Sequence, residues 1–233
     1  MTNTAQTDLG LVFAAGGCGT RFHGARNKLL EPLGDALLFA HCLRTLLPAV
    51  SAGHAVLVVS ASVEEKFLPE LQRLGLAEQV RLVHGGASRA ESVLLGLQAL
   101  PASVIYAAVQ DAARPFTSLK LLMDCLQSAR ERGSGVAARP VTDTIKMVEE
   151  GGQIRETPPR ATLWAAETPQ VFPLSVLVPA YRHVLRRELS VTDDAQAVEV
   201  GGGLAHIVPA RLPNPKVTYG ADLADVRRLL EDG

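Results

Sequence analysis

Short apolar runs rich in β-branched residues recur along this chain, each separated from the next by enough residues for a helix. That alternation limits it to one class of folds. The runs are Leu11–Ala15 (LVFAA), Ala55–Ser60 (AVLVVS), Val80–Val83 and Val104–Val109 (VIYAAV), with a fifth starting in Gly133–Ala138. Each reads as a buried strand. Helices are expected over Ala36–Leu47, from a capping box of Ser62 and Glu65 to about Leu74, and from a second box of Ser88 and Glu91 to about Leu100. After Thr117, Leu119, Leu122, Met123 and Leu126 share one helical face, with Lys120, Asp124, Gln127 and Arg130 opposite. Strands alternating with helices of this length imply a mostly parallel sheet covered on both faces. Right-handed crossovers then bring the strand ends, and any ligand, to one edge.

The rhythm breaks after Pro140. Ile145–Val148 and Gln153–Thr157 flank Gly151-Gly152, a hairpin signal whose glycines accept positive φ. A lone two-stranded hairpin is marginal in water, so residues 139–160 are expected to form a projecting β-arm that packs on the parent domain or on a second subunit. Helices Leu174–Arg187 and Asp193–Val200, strands Ala205–Val208 and Val217–Tyr219, and a closing helix from Ala221 complete one domain over residues 1–233.

Composition narrows the function. Of the 233 residues, 47% are hydrophobic, enough for a substantial core. The 23 basic and 24 acidic side chains nearly balance, and aromatics are only 4%. Neither the footprint of a duplex binder nor a base-stacking platform is present, so no nucleic-acid partner is expected. Cys18, Cys42 and Cys125 form no CxxC pair, so no disulfide framework or zinc site is expected, and a reducing, cytoplasmic setting fits. No apolar run approaches the roughly 18 residues of a membrane span. The start, MTNTAQTD, lacks the basic and apolar regions of a signal peptide.

Three loops after successive strands carry the chemistry. The first, AAGGCGTR (Ala14–Arg21), is followed by Lys28. It matches neither GxxxxGK[ST] nor GxGxxG. Glycines at a strand end still let backbone N–H groups approach phosphate oxygens, and Arg21 and Lys28 add a fork and a point charge for the same anion. A tight turn flanked by two solvated cations is the plainer reading. The second loop, HGGASRAES (His84–Ser92), puts Gly85 and Gly86 before a helix N-terminus capped by Ser88, suited to an anion or a ring carbonyl. Ordinary capping explains it equally well. The third, QDAARPF (Gln110–Phe116), places Asp111 directly after a strand, where one carboxylate suits Mg²⁺ with phosphate oxygens. Arg114 could meet a second anion, or pair with Asp111 at the surface for at most about 1 kcal/mol.

In order and spacing, AAGGCGTR with Lys28, HGGASRAES, DAARP, VTDTIK, Arg160 through Trp164 with TPQ, VTDDA and NPKVT resemble the 2-C-methyl-D-erythritol 4-phosphate cytidylyltransferases. The likeness runs from about Leu11 to the last helix. It implies a Rossmann-like α/β nucleotidyltransferase fold with a β-arm embracing a second subunit in a homodimer. It implies CTP and methylerythritol phosphate as substrates, Mg²⁺ as cofactor, and pyrophosphate release in non-mevalonate isoprenoid synthesis. By position, Arg21 and Lys28 would stabilise the transition state and Asp111 would hold the metal. Arg160 and Lys216 would position the sugar phosphate, with Arg114, Thr144 and Thr168 nearby. Ala14, Ala15, Gly16, Gly17, Gly85, Gly86 and Ser92 would line the cytidine pocket. Three positions depart from the pattern: Asn27 stands where proline usually precedes the lysine, Ala87 where an acidic residue usually follows the glycines, and Gln110 where histidine often precedes the aspartate. Ala87 bears most on base discrimination.

The attacking group, a phosphate monoester, has a second pKa near 6 and is mostly dianionic at neutral pH, so no general base is needed. The six scattered histidines (23, 41, 54, 84, 183 and 206) accordingly read as structural. The obstacle is an anion attacking an anion, which positioned cations relieve. Two other readings share these loops: a pentitol-phosphate cytidylyltransferase acting on ribitol 5-phosphate, and a non-catalytic nucleotide sensor. A sensor tends to lose a cation, whereas Arg21, Lys28, Arg114, Arg160 and Lys216 are all present.

Overall fold

A computed structural model describes residues 7–16 and 27–231. Strand β1 (Leu9–Ala14) shows why the sheet forms. Leu9, Leu11 and Phe13 enter one core cluster and Val12 the other, the two-residue period of a strand buried on both faces. A two-strand ribbon follows, β2 (Pro32–Leu33) and β3 (Ala36–Leu37), turning at Gly34 with φ +57°. Helix α1 (Leu38–Leu46) therefore starts two residues later than the sequence predicts. Strand β4 (Ala55–Val59), helix α2 (Glu64–Arg73), strand β5 (Arg81–His84), helix α3 (Arg89–Gln98) and strand β6 (Tyr106–Asp111) continue the alternation. Then come α4 (Leu119–Arg132), β7 (Gly135–Pro140), the hairpin β8 (Met147–Val148) and β9 (Ile154–Glu156), β10 (Trp164–Pro173), α5 (Leu174–Arg186), α6 (Asp194–Glu199), β11 (Ile207–Pro209) and α7 (Gly220–Glu231).

Seven strands form one mixed sheet in the order β11-β7-β10-β6-β1-β4-β5. Only β10 runs antiparallel to its neighbours. Helices α1, α2, α4 and α7 cover one face, and α3, α5 and α6 the other. From β1 the chain winds outward through β4 and β5, then returns to pair β6 on the other side of β1, with Ala14 opposite Asp111. That reversal is the switch point at which ligands bind in open α/β sheets. Two glycines let helices approach the sheet closely. A Cβ on Gly96 of α3 would lie 2.6 Å from Val12 Cγ1, and one on Gly135 would lie 2.1 Å from the Cys125 carbonyl oxygen.

Several local expectations are corrected. Ser62 and Glu65 form no capping box: a 3-10 turn at Ala61–Val63 leads into α2, whose cap residue Val63 makes no side-chain bond, and Ser62 Oγ pairs with Ser60 Oγ at 3.0 Å. Residues 217–219 add no strand; the Val217 N–H instead donates to the Ala113 carbonyl at 2.9 Å. Strand β10 forms over a stretch to which the sequence assigns no element. The hairpin turn is as expected, with Gly151 at φ +94° and Gly152 at +86°. The hairpin is wholly exposed, Val148 at 61% and Ile154 at 55%. Cys42 and Cys125 are buried and unpaired. Among the described residues no helix is long and apolar enough to cross a membrane.

Candidate active site

At the switch point the ends of β1, β4, β5 and β6 open into a cavity of about 290 Å³. Its wall includes Ala14, Gly16, Lys28, Gly86, Arg89, Ser92, Asp111 and Lys216. Backbone bonds tie the strand ends beside it. Ala15 N–H donates to the Val58 carbonyl (2.9 Å), and Ala112 N–H donates to the Ala14 carbonyl (3.2 Å).

The β5–α3 loop is tight at Gly85, where a Cβ would sit 2.7 Å from Ser92 Oγ; at Gly86 it would meet only the flexible Glu91 side chain, 2.2 Å from Cδ. Ser92 Oγ accepts from the Gly86 N–H at 3.1 Å, and Ser88 Oγ accepts from the Glu91 N–H at 3.1 Å, capping α3. The second half of the expected box differs: Glu91 Oε2 accepts from the Ala87 N–H (2.8 Å) rather than from Ser88. Where the resemblance leads one to expect an acidic side chain at 87, a carboxylate from 91 stands against that backbone instead.

Asp111 ends β6 with its side chain almost buried. Lys216 Nζ is 2.8 Å from Oδ2 and Arg114 Nε 3.5 Å from the same oxygen. Burial works against the carboxylate's charge, yet Lys216, Arg89 and Arg114 together hold its pKa below the usual value. Asp111 is therefore ionised at neutral pH. The N–H of Asp111 donates to Thr168 Oγ1 at 3.0 Å. Thr168 and Arg114 are buried beside Asp111 and do not form the cavity wall. Arg114 Nη1 donates to the Asn214 carbonyl (2.6 Å) and lies 4.0 Å from Glu167 Oε2, while Asn214 Nδ2 donates to Glu167 Oε2 (3.1 Å). Gln110, in the position that often holds histidine, donates from Nε2 to Thr117 Oγ1 at 2.8 Å.

Lys28 opens a 3-10 turn (Lys28–Leu30) capped by Asn27, whose side chain accepts from the Leu29 N–H at 3.1 Å. This supplies a local reason for asparagine where proline is usual. Lys28 Nζ donates to the Val217 carbonyl at 2.7 Å, so residues 216 and 217 tie both lysines to one wall.

The structure thus gathers Ala14, Gly16, Lys28, Gly86, Ser92, Asp111 and Lys216 at one hollow. Arg160 and Thr144 are not brought there: both are exposed on the arm, where Arg160 Nη1 donates to the Thr142 carbonyl at 2.7 Å. Arg21 and Gly17 lie outside the described residues. Sequence reasoning assigned no role to Arg89, which reaches the wall from the first turn of α3. Its guanidinium grips Asp194 at 3.1 and 3.0 Å, and the nearest signal was the pair of aspartates in VTDDA. None of the described histidines lines the cavity. His54, for example, bonds the Leu9 carbonyl (3.1 Å) and Ser103 Oγ (3.1 Å). Among the described residues no three His, Cys, Asp or Glu side chains converge on a metal position.

Residues 9–232 match the family model described as IspD, 2-C-methyl-D-erythritol 4-phosphate cytidylyltransferase. The cytidylyltransferase of that name from Synechococcus sp. is 37% identical over 221 residues, 95% of each chain. One from Haemophilus influenzae is 36% identical over 213 residues, 91% of this chain and 92% of the other. Among solved structures, 4-diphosphocytidyl-2C-methyl-D-erythritol synthase from Anaerococcus prevotii superposes with a TM-score of 0.83 over 96% of both chains, at 22% identity. The cytidylyltransferase of Thermus thermophilus gives 0.78 at 25% identity, over 95% and 98% of the two chains.

Proposed function

Because this chain belongs to the IspD family of 2-C-methyl-D-erythritol 4-phosphate cytidylyltransferases, we propose that the cavity at its strand ends is where CTP and the sugar-alcohol phosphate react. The enzyme moves a cytidylyl group from CTP to 2-C-methyl-D-erythritol 4-phosphate in the non-mevalonate route to isoprenoids. A phosphate oxygen of the acceptor attacks the α-phosphorus, the new P–O bond forms, and the bond to the β-phosphate breaks to release pyrophosphate. The acceptor arrives as a dianion, so no side chain has to take a proton. What the protein supplies is position and charge.

One observation carries this reading: Lys28, Asp111 and Lys216, far apart in sequence, meet in one hollow beside a glycine loop and a helix N-terminus. Lys28, with Arg21 from the first loop, stabilises the charge that builds at the α-phosphorus. Ala14, Ala15, Gly16, Gly17, Gly85, Gly86 and Ser92 receive the nucleotide. Lys216 orients the attacking phosphate. Arg114 and Thr168, packed against Asp111, set the position of its carboxylate.

The donor set suits Mg²⁺: an ionised single carboxylate at the cavity, whose closest cation contacts both fall on one of its two oxygens, Oδ2. Asp111 would hold the ion, which when bound neutralises phosphate charge. Arg160 and Thr144 stand on the arm, away from the cavity wall, and the arm presents exposed Ile145, Met147, Val148 and Ile154. Such a strand pair gains stability by packing on another surface. A homodimer in which the arm of each subunit carries Arg160 and Thr144 to the other's acceptor site accounts for both features.

Pyrophosphate release from CTP, followed with each acceptor, tests the assignment. Release with methylerythritol phosphate and not with ribitol 5-phosphate is expected. The reverse preference would move the enzyme to the pentitol branch, and no release with either would make it a nucleotide sensor.

A further inference from the structure

Arg89 is the cation on the cavity wall to which the family resemblance assigns no task. Its side chain is 29% exposed, while its partner Asp194 is entirely buried. Nη1 donates to Asp194 Oδ1 (3.1 Å) and to Tyr181 Oη (3.1 Å), and Nη2 donates to Asp194 Oδ2 (3.0 Å). The Tyr181 hydroxyl also donates to Asp194 Oδ1. Asp194 is itself fixed: Gln170 Oε1 accepts from the Asp194 N–H (3.1 Å) and the Ala195 N–H (2.8 Å).

A guanidinium carries five N–H groups, and these bonds use three, leaving the Nε hydrogen and one on Nη2. The fork is rigid, and a buried carboxylate without its cation is costly, so Arg89 cannot swing away from the wall. Asp194 is buried, while Arg89 stays partly exposed and lines a hollow that also holds Lys28, Asp111 and Lys216. Burial opposes the charge on Arg89, but Asp194 keeps it fully protonated.

We propose that Arg89 is a further nucleotide-binding residue, donating its remaining N–H groups to phosphate oxygens of CTP, and that Asp194, with Tyr181, is the positioning residue that aims it. The inference rests on the cavity being the nucleotide site. It adds an element that fixes the phosphate chain from the first turn of α3. It also ties CTP affinity to α5 and α6, elements that do not border the cavity themselves.

Calorimetric titration with CTP, CMP and cytidine tests this on wild type, Arg89→Lys, Asp194→Asn and Tyr181→Phe, each first checked for a wild-type melting transition. Charge-assisted bonds of this kind correspond to roughly tenfold or more in affinity. Arg89→Lys, which keeps the charge and loses the fork, is expected to weaken CTP at least about tenfold while cytidine is unchanged and the acceptor KM stays within about twofold. Asp194→Asn should follow in the same direction and Tyr181→Phe more weakly. CTP affinity within about twofold of wild type in folded Arg89→Lys would overturn the proposal. So would equal losses for CTP and cytidine, which would make Arg89 a latch for the loop only. Should Asp194→Asn fail to fold, Arg89→Lys and Tyr181→Phe still decide. Wild-type protein that binds CTP without releasing pyrophosphate would defeat the transfer reaction and leave the Arg89 result standing.

Discussion

Lys216 Nζ stands 2.8 Å from Asp111 Oδ2, pairing a residue near the end of the chain with the last residue of a central strand. The next residue, Val217, bonds in both directions: its N–H to Ala113 and its carbonyl to Lys28 Nζ. A segment with no regular secondary structure is thereby sewn across the mouth of the sheet, delivering one lysine and anchoring another. The arrangement puts opposite charges at contact distance in the hollow proposed to take the phosphates. That is the condition for cations to act without reorganising when substrate arrives.

Removing Lys28 should damage the chemical step more than binding. Lys28→Ala is expected to lower kcat by about 10²- to 10³-fold, with the CTP KM within a few-fold of wild type. Steady-state kinetics with CTP varied at saturating acceptor checks this. A raised KM with kcat intact would place Lys28 in ground-state binding alone.

In the proposed reaction Lys216 serves the other substrate. Lys216→Ala should raise the acceptor KM by about tenfold or more, the worth of one charge-assisted phosphate contact, while CTP affinity by titration changes little. Unchanged kinetics for the acceptor would remove Lys216 from the site.

The arm hypothesis has a mixing test. Lys28→Ala and Arg160→Ala subunits, each nearly inactive, should recover about a quarter of wild-type activity when mixed, because half the dimers are mixed and each keeps one intact site. Absence of recovery, with mixed dimers demonstrated by native mass spectrometry, would show that each subunit builds its site from its own residues.

Glu70 supplies a pH signature of stability. It accepts from the Leu37 N–H at 2.9 Å and from Arg73 at 2.7 Å, joining α2 to the start of α1. The Arg73 bond lowers its pKa, burial opposing. A carboxylate whose folded pKa is depressed stabilises above its unfolded pKa and loses that contribution as pH falls through the folded value. Glu70→Gln should therefore cost about 1–2 kcal/mol at pH 7, and the gap from wild type should narrow as pH falls below the usual glutamate range and through the depressed folded value. Urea melts over a descending pH series measure it, and a gap independent of pH would mean the carboxylate charge is not involved.

Much of the frame was legible because burial on both faces leaves a plain signature. β1, β4 and β6 are apolar runs, and Ser88 and Gly151-Gly152 do what their residue types favour. β10 was not legible. Glu167, Thr168, Pro169 and Gln170 interrupt its pattern with polar atoms and a proline, which ordinarily argue against a central strand. They are tolerated because the register shifts between Ala166 and Gln170, and because the polar groups are answered from elsewhere: Thr168 by the Asp111 amide, Glu167 by Asn214, Gln170 by the first amides of α6. Such partners lie 24 to 57 residues away, beyond any local pattern. Within the site, the loop residues at strand ends could be read directly. Arg89 could not, because its importance comes from Asp194, 105 residues on. Ser62 misled because a 3-10 turn supplied the backbone with another way into α2.

The central claim is that phosphate chemistry is concentrated in the hollow between Lys28, Asp111 and Lys216. A crystal structure with CTP and Mg²⁺ tests it most directly. The account predicts triphosphate density there, with the α-phosphorus within reach of Lys28 and the metal on Asp111. Nucleotide bound elsewhere on the sheet, with that hollow holding only water, would contradict it.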